Sequence, residues 1–158
     1  MQQQAREKFE AGPVSLIIQH ELWDGNLQDH ADQGVVILVT GDVGGTETNL
    51  LRFNCFDIER SYVYGPEGKN RVCRMDPTVD GNPIGWSVGQ IRTSLREMLT
   101  EAGYEDIAAK VDLHDVGHAL DELDPKAREL FAGARNTVKH NRGTEMFEAG
   151  NFRFGLEM

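Results

Sequence analysis

His114-Asp115-Val116-Gly117-His118 is the densest chemical constellation in this 158-residue chain. On a helix, positions i and i+4 share a face, so His114 and His118 can meet one ligand. Asp121, at i+7, extends that face. Imidazole titrates near neutral pH, and a neighbouring carboxylate orients the ring and supports its cation. His114 or His118 is therefore the candidate catalytic base, oriented by Asp115 or Asp121. Two imidazoles and a carboxylate also suit a divalent transition metal. The structural alternative is a polar helix flank beside the apolar stripe Val116, Leu120 and Leu123.

Further polar residues can frame a ligand. His20 follows Val14, Leu16 and Ile18 on one strand face, with Glu21 and Asp24 close in sequence. Tyr62 and Tyr64 share a face of a later strand. Arg52 and Asn54 share the less apolar face of another, and Arg74 lies on a strand that a meander can bring near them. A sheet face carrying Tyr, Arg and Asn, under a helix bearing His, would form a polar-lined cavity for a small molecule. The substrate-binding candidates are thus His20, Arg52, Tyr62, Tyr64 and Arg74; the same residues also suit a solvated antiparallel face. Arg135, Lys139 and Arg142, with His140 beside them, read as cations complementing a helix C-terminus, or as an anion site. Cys55 and Cys73 lack metal or redox spacing and read as small apolar residues in a reducing compartment.

Strand-like patterns come first and helical patterns after them. Residues 4–10 suggest a short helix stopped at Gly12-Pro13. A strand follows from Val14, then a loop over residues 24–34. The continuous run over residues 35–40 predicts a central strand buried on both faces. Strands at residues 49–57, 60–64 and 70–75 complete an antiparallel meander. Ser87 and Gln90 form a capping-box pair before a helix ending at Gly103. A second helix is expected at about residues 105–123. Asp124-Pro125 reads as the start of a third, 125–139. Glu145–Glu148 and residues 152–158 suggest a closing hairpin. The expected architecture is one α+β domain over residues 1–158: an antiparallel sheet, meander plus C-terminal hairpin, with about three helices on one face.

Asp42, Gly44, Gly45 and Thr46, after the run Ile37-Leu38-Val39, resemble the first phosphate motif of glucokinase-type sugar kinases. In that family an Asp-x-Gly-Gly-Thr turn cradles ATP phosphates. The kinase fold also needs a second phosphate motif, a separate catalytic Asp and a second domain that this length does not hold. The expectation is a hairpin turn in which Gly44 or Gly45 takes a positive φ. A second resemblance runs through Leu50-Leu51-Arg52-Phe53, Phe56-Asp57, Tyr62-Val63-Tyr64-Gly65-Pro66 and Asp76-Pro77. It is to small bacterial proteins grouped as a domain of unknown function, over about residues 48–100, and it implies no activity. In that pattern histidines flank the first tyrosine, where this chain has Ser61 and Val63.

The chain carries 16 basic and 26 acidic residues, a net charge of −10. Residues 1–79 hold seven basic and twelve acidic groups, residues 80–158 nine and fourteen, so no acidic tail exists. That charge argues against nucleic-acid and anionic-membrane partners. No apolar run is long enough for a membrane span, and the first residues lack a signal-like apolar stretch, so a cytoplasmic location is expected. The resulting expectation is a small enzyme using histidine acid–base chemistry on a small metabolite, with anionic ones among the candidates: a lyase, isomerase or hydrolase. No organic cofactor is expected, with a divalent metal as the one candidate. The alternative is a non-catalytic ligand-binding or interaction protein, homodimeric through a sheet edge or the C-terminal hairpin.

Overall fold

A computed structural model describes residues 6–23, 32–75 and 82–148, the last stretch from residue 134 on as helical backbone. Among the described residues, six antiparallel strands form one sheet in chain order: β1 (Arg6–Ala11), β2 (Val14–Trp23), β3 (Asp32–Val43), β4 (Thr46–Phe56), β5 (Arg60–Tyr64) and β6 (Arg71–Arg74). Three helices follow, α1 (Pro83–Glu101), α2 (Glu105–Lys110) and α3 (Leu113–Glu148). This is the expected α+β class, with its strand-by-strand meander.

Period-2 alternation divides the sheet into two faces. Leu16 and Ile18 of β2, Val35, Ile37 and Val39 of β3, and Leu51, Phe53 and Cys55 of β4 form one core. Against them pack Ile84, Val88, Ile91, Leu95 and Leu99 of α1, and Val116, Leu120, Leu123 and Ala127 of α3. The spacing of the α3 residues, three or four apart, is the stripe read from sequence. On the opposite face Ile17, Val36, Leu38 and Phe56 form a smaller buried cluster. The central strand is therefore buried on both sides, as its unbroken apolar run implied. Phe56 folds over Gly34, where a Cβ would lie 2.6 Å from the Phe56 ring and 2.2 Å from the Cys55 carbonyl oxygen.

Several local expectations are corrected. Residues 6–10 lie in a strand, not a helix: Phe9 and Ala11 are buried while Glu10 between them is exposed, and β1 pairs along β2 from Arg6↔Gln19 to Ala11↔Val14. Tertiary pairing overrides the weak helical preference of so short a segment. The loop expected over residues 24–34 is overrun at its end, because β3 starts at Asp32. α1 starts at Pro83 with Asn82 as its cap, the Asn82 side chain accepting a hydrogen bond from the Gly85 N–H at 2.9 Å. Ser87, expected to cap it, is fully buried inside the helix, 3.4 Å from the Cys55 sulfur.

The second and third helices also divide differently. Val111 is extended and separates α2 from α3. The Arg96 guanidinium donates from Nε to the Val111 carbonyl at 3.0 Å and tethers this break to α1. Pro125, expected at a helix start, lies inside α3. Asp124 does not cap there; it accepts a hydrogen bond from Arg128 one turn on, at 2.7 Å. α3 then continues to Glu148, so residues 145–148 are helical and not the first strand of a hairpin. Residues 149–158, the remainder of that expected hairpin, lie outside the described residues. Arg135, Lys139, His140 and Arg142 consequently sit within the helix, not at its end.

Candidate functional site

Among the described residues, two regions bring histidine next to further polar chemistry. They lie at opposite ends of β2. Val14 follows the Gly12 turn beside the start of α3, and His20 comes six residues later, about 20 Å along the strand.

The first region is built around the start of β3. Asp32 is only 2% exposed. Its carboxylate accepts hydrogen bonds from the backbone N–H groups of Gln33 (2.9 Å), Ile58 (3.1 Å) and Glu59 (2.7 Å). Those bonds hold the β4–β5 turn against β3, and the Asp57 N–H donates to the Gln33 carbonyl at 2.9 Å. The turn thereby presents the Asp57 side chain to Gln33. Gln33 is buried, and its amide Nε2 donates to Asp57 Oδ2 at 2.8 Å. Its Oε1 then faces the Nε2 of His20 at 3.2 Å. A carboxylate can only accept, so the Gln33 amide nitrogen must point to Asp57 and its oxygen to His20. The oxygen in turn requires His20 to donate from Nε2. A neutral His20 therefore carries its proton on Nε2 and keeps a lone pair on Nδ1. Asp57–Gln33–His20 is a relay that selects one tautomer of a half-buried imidazole.

The second region is the start of α3. The Asp112 carboxylate accepts from the His114 N–H at 2.8 Å and helps to start the helix. Val116, Leu120 and Leu123 face the core, which leaves His114 and His118 on the exposed side. Helical spacing does bring these two together: their Nε2 atoms lie 3.2 Å apart, with the rings edge to face at 4.5 Å. The expected orienting carboxylates do not join them. Asp121 is an ion-pair partner of Arg92 on α1, at 3.0 Å. Asp115 lies with Glu10, Glu122 and one side of His118 around a shallow depression of about 260 Å³. Among the described residues, no group of three or more His, Cys, Asp or Glu side chains is placed to hold a metal ion.

The remaining candidates separate over the two faces of the sheet. Tyr62 and Tyr64 turn toward the helices; Tyr62 packs on Trp86 at 5.3 Å and on Phe53 at 6.2 Å. Burial raises both phenols above their ordinary pKa, with Cys73 beside them adding to the effect, so both are neutral hydrogen-bond donors near pH 7. Arg71 stacks over the Tyr64 ring at 4.6 Å. Arg52 pairs with Val63, the residue between the two tyrosines, so alternation puts it on the opposite face. Arg74 pairs with Ser61 and falls on that opposite face too. His20 shares the helix-facing side with the tyrosines but lies three strands from β5, about 14 Å across the sheet. The expected single cavity holding Tyr, Arg, Asn and His is therefore not assembled.

Arg52 instead organises the far face. Its guanidinium donates to Glu21 and to Asn54, each at 2.7 Å, and Asn54 donates to Ser61 at 3.0 Å. Glu21 on β2 and Arg52 on β4 flank β3, so their ion pair crosses that strand. Their β3 partners are Gly34 and Leu38, which places the bridge over Val36 between them. A half-buried ion pair with this many hydrogen bonds holds neighbouring strands in register.

The glycine-rich turn is a two-residue hairpin. Gly44 and Gly45 both take positive φ, 61° and 88°, and Val43 pairs with Thr46. Asp42 accepts from the Gly45 N–H at 2.8 Å, closing the turn. Asp42, Glu105 and Asp106 line the adjacent depression, an arrangement that repels phosphate. Both cysteines are free and lie on β4 and β6, separated by β5. Burial pushes the Cys55 thiol up to about 12, so it is an inert apolar group at neutral pH.

Sequence reasoning found His20 and missed Gln33, Asp57 and Asp32. Extending the loop to residue 34 hid the polar pair Asp32-Gln33 at the start of a strand. The signal that could have found them is two polar residues directly ahead of a run buried on both faces.

The family model described as "Domain of unknown function (DUF7700)" matches residues 8–127, a longer stretch than the resemblance over residues 48–100. No curated protein and no solved structure matches the chain. Among the described residues no helix is long and apolar enough to cross a membrane.

Proposed function

The chain belongs to the family described as domain of unknown function DUF7700, and on that premise we propose that it is a small enzyme using histidine acid–base chemistry on a small metabolite, as a lyase, isomerase or hydrolase. The observation that carries this reading is the Asp57–Gln33–His20 relay. A general base needs its accepting lone pair in a defined direction before substrate arrives. The relay holds the Nε2–H of His20 and leaves Nδ1 to take the proton. As His20 becomes cationic, its charge-assisted bond to the Gln33 oxygen strengthens, and Asp57 polarises that amide from behind. This replaces the expectation that His114 or His118 is the base: those imidazoles face each other, and Asp121 is taken up by Arg92.

Nitrogen NMR of the histidine rings tests the relay without a known substrate. His20 should show the Nε2–H tautomer when neutral, and Gln33→Leu should abolish that preference. A His20 protonated on Nδ1 would remove it as the base. Once a panel of proton-transfer substrates yields a turnover, His20→Ala should lower kcat by about 100-fold or more. Full retained activity would sink the assignment.

A second reading rests on a different observation. Arg52 and Arg74 are separated from Tyr62 and Tyr64 by the thickness of the sheet. That separation suits a non-catalytic interaction or ligand-binding module, homodimeric through its sheet, better than a single enclosed pocket. It predicts no turnover on any proton-transfer substrate, while the Gln33 amide holds the His20 tautomer all the same.

A further inference from the structure

The relay leaves the two α3 histidines unexplained. We propose that His114 and His118 together bind one exchangeable divalent transition-metal ion through their Nε2 atoms. Two Zn–N bonds of about 2.0–2.1 Å at a tetrahedral angle set their nitrogens about 3.3 Å apart. The two Nε2 atoms stand 3.2 Å apart. The same α3 backbone carries both rings one turn apart, so the ion needs no backbone movement: both rings hold their proton on Nδ1 and turn their Nε2 lone pairs from each other to the ion.

The surroundings favour a cation of this class. Both rings are exposed, so an ion reaches them from solvent. Glu10, Asp115 and Glu122 line the depression that His118 borders, which gives the approach a negative potential. The two donors in contact are imidazoles, which select zinc, nickel or copper over magnesium and calcium. No third side chain completes the set among the described residues, so water fills the remaining positions. The bound ion is consequently labile and removable by a chelator. Beside Gly117 the Arg92 guanidinium lies 3.5 Å from where a Cβ would stand, with its charge paired to Asp121.

Calorimetric titration of the EDTA-stripped full chain with Zn²⁺, and separately with Mg²⁺, tests this. The expected result is one Zn²⁺ per chain with Mg²⁺ binding far weaker. His114→Ala and His118→Ala should each weaken zinc binding at least about tenfold, since even an outer-shell partner of a ligand is worth 10–100-fold. Cys73→Ser, which alters the half-buried thiol on β6, should leave zinc binding unchanged. Circular dichroism of each variant establishes that it is folded, which exposed positions should permit. Absence of zinc binding by the wild-type chain would overturn the proposal. So would binding that survives both histidine substitutions, or binding that Cys73→Ser removes. The His20 tautomer experiment is unaffected by any of these results, so the two ideas fail separately.

Discussion

The imidazole at the end of β2 and the pair at the start of α3 are the same chemical group under opposite conditions. His20 is half-buried and is tied through a buried glutamine to an aspartate on another turn. Its partners are 13 and 37 positions away along the chain, and all three meet only because the β2–β3 pairing and the β4–β5 turn bring them together. His114 and His118 are exposed and meet each other through one turn of helix. The difference teaches that local periodicity can place two side chains at bonding distance, while a tautomer is selected by polar groups that only the sheet assembles.

The sharpest way to break the comparison is Asp32→Ala. It leaves three backbone N–H groups without their buried acceptor and frees the turn that carries Asp57. We expect a loss of about 3 kcal/mol or more in denaturant unfolding. The His20 tautomer preference should disappear with it, whereas the α3 imidazole contact should persist. A loss below about 1 kcal/mol would mean that the relay has no rigid frame.

Gln33→Leu comes next in size. It keeps the volume near that of the amide and deprives Asp57 and His20 of their shared partner, at a cost of about 1–3 kcal/mol. Equilibrium unfolding measures it, and an unchanged midpoint would show that water replaces the amide without penalty.

Alkaline pH tests the sheet side through Cys55, which shares a cross-strand row with Val35 and His20. Burial raises its folded pKa from 9.0 to about 12. The neutral thiol is favoured in the fold, so its contribution is complete below about pH 9 and is lost as pH rises towards 12. Stability of the wild-type chain should fall more steeply than that of Cys55→Ala across this window. Parallel slopes would remove Cys55 as the cause.

The smallest effect belongs to the helix surface. His114→Ala or His118→Ala should change metal-free stability by no more than about 0.5 kcal/mol, because both side chains are exposed. A cost above about 1 kcal/mol would show that the imidazole contact is structural and narrow the contrast with His20.

The elements with a strong internal pattern are legible in the order of residues. The run over residues 35–40, the Gly44-Gly45 turn and the stripe Val116, Leu120, Leu123 each depend on neighbours a few positions away. The failures fall where a local signal competes with a distant one. Residues 6–10 look helical until Phe9 and Ala11 find β2 and the core. Ser87 looks like a cap until its burial beside Cys55 shows that the helix began earlier. Asp124-Pro125 looks like a start, yet α3 runs through it because its apolar stripe continues from Leu120 and Leu123 to Ala127 on the same side.

The candidate site divides along the same line. Residue order alone determined that His114 and His118 would adjoin, that Tyr62 and Tyr64 would share a face, and that Arg52 and Asn54 would share another. Those are consequences of 3.6-residue and two-residue periods. Only the tertiary structure decided that the tyrosines and Arg52 look in opposite directions, since that follows from the Arg52↔Val63 register. A shift of one residue would have put them together. Only it decided that Asp121 belongs to Arg92, and that Gln33 and Asp57 belong to His20. Periodicity acts within an element, but partnership between polar groups depends on strand register and on which helix packs where.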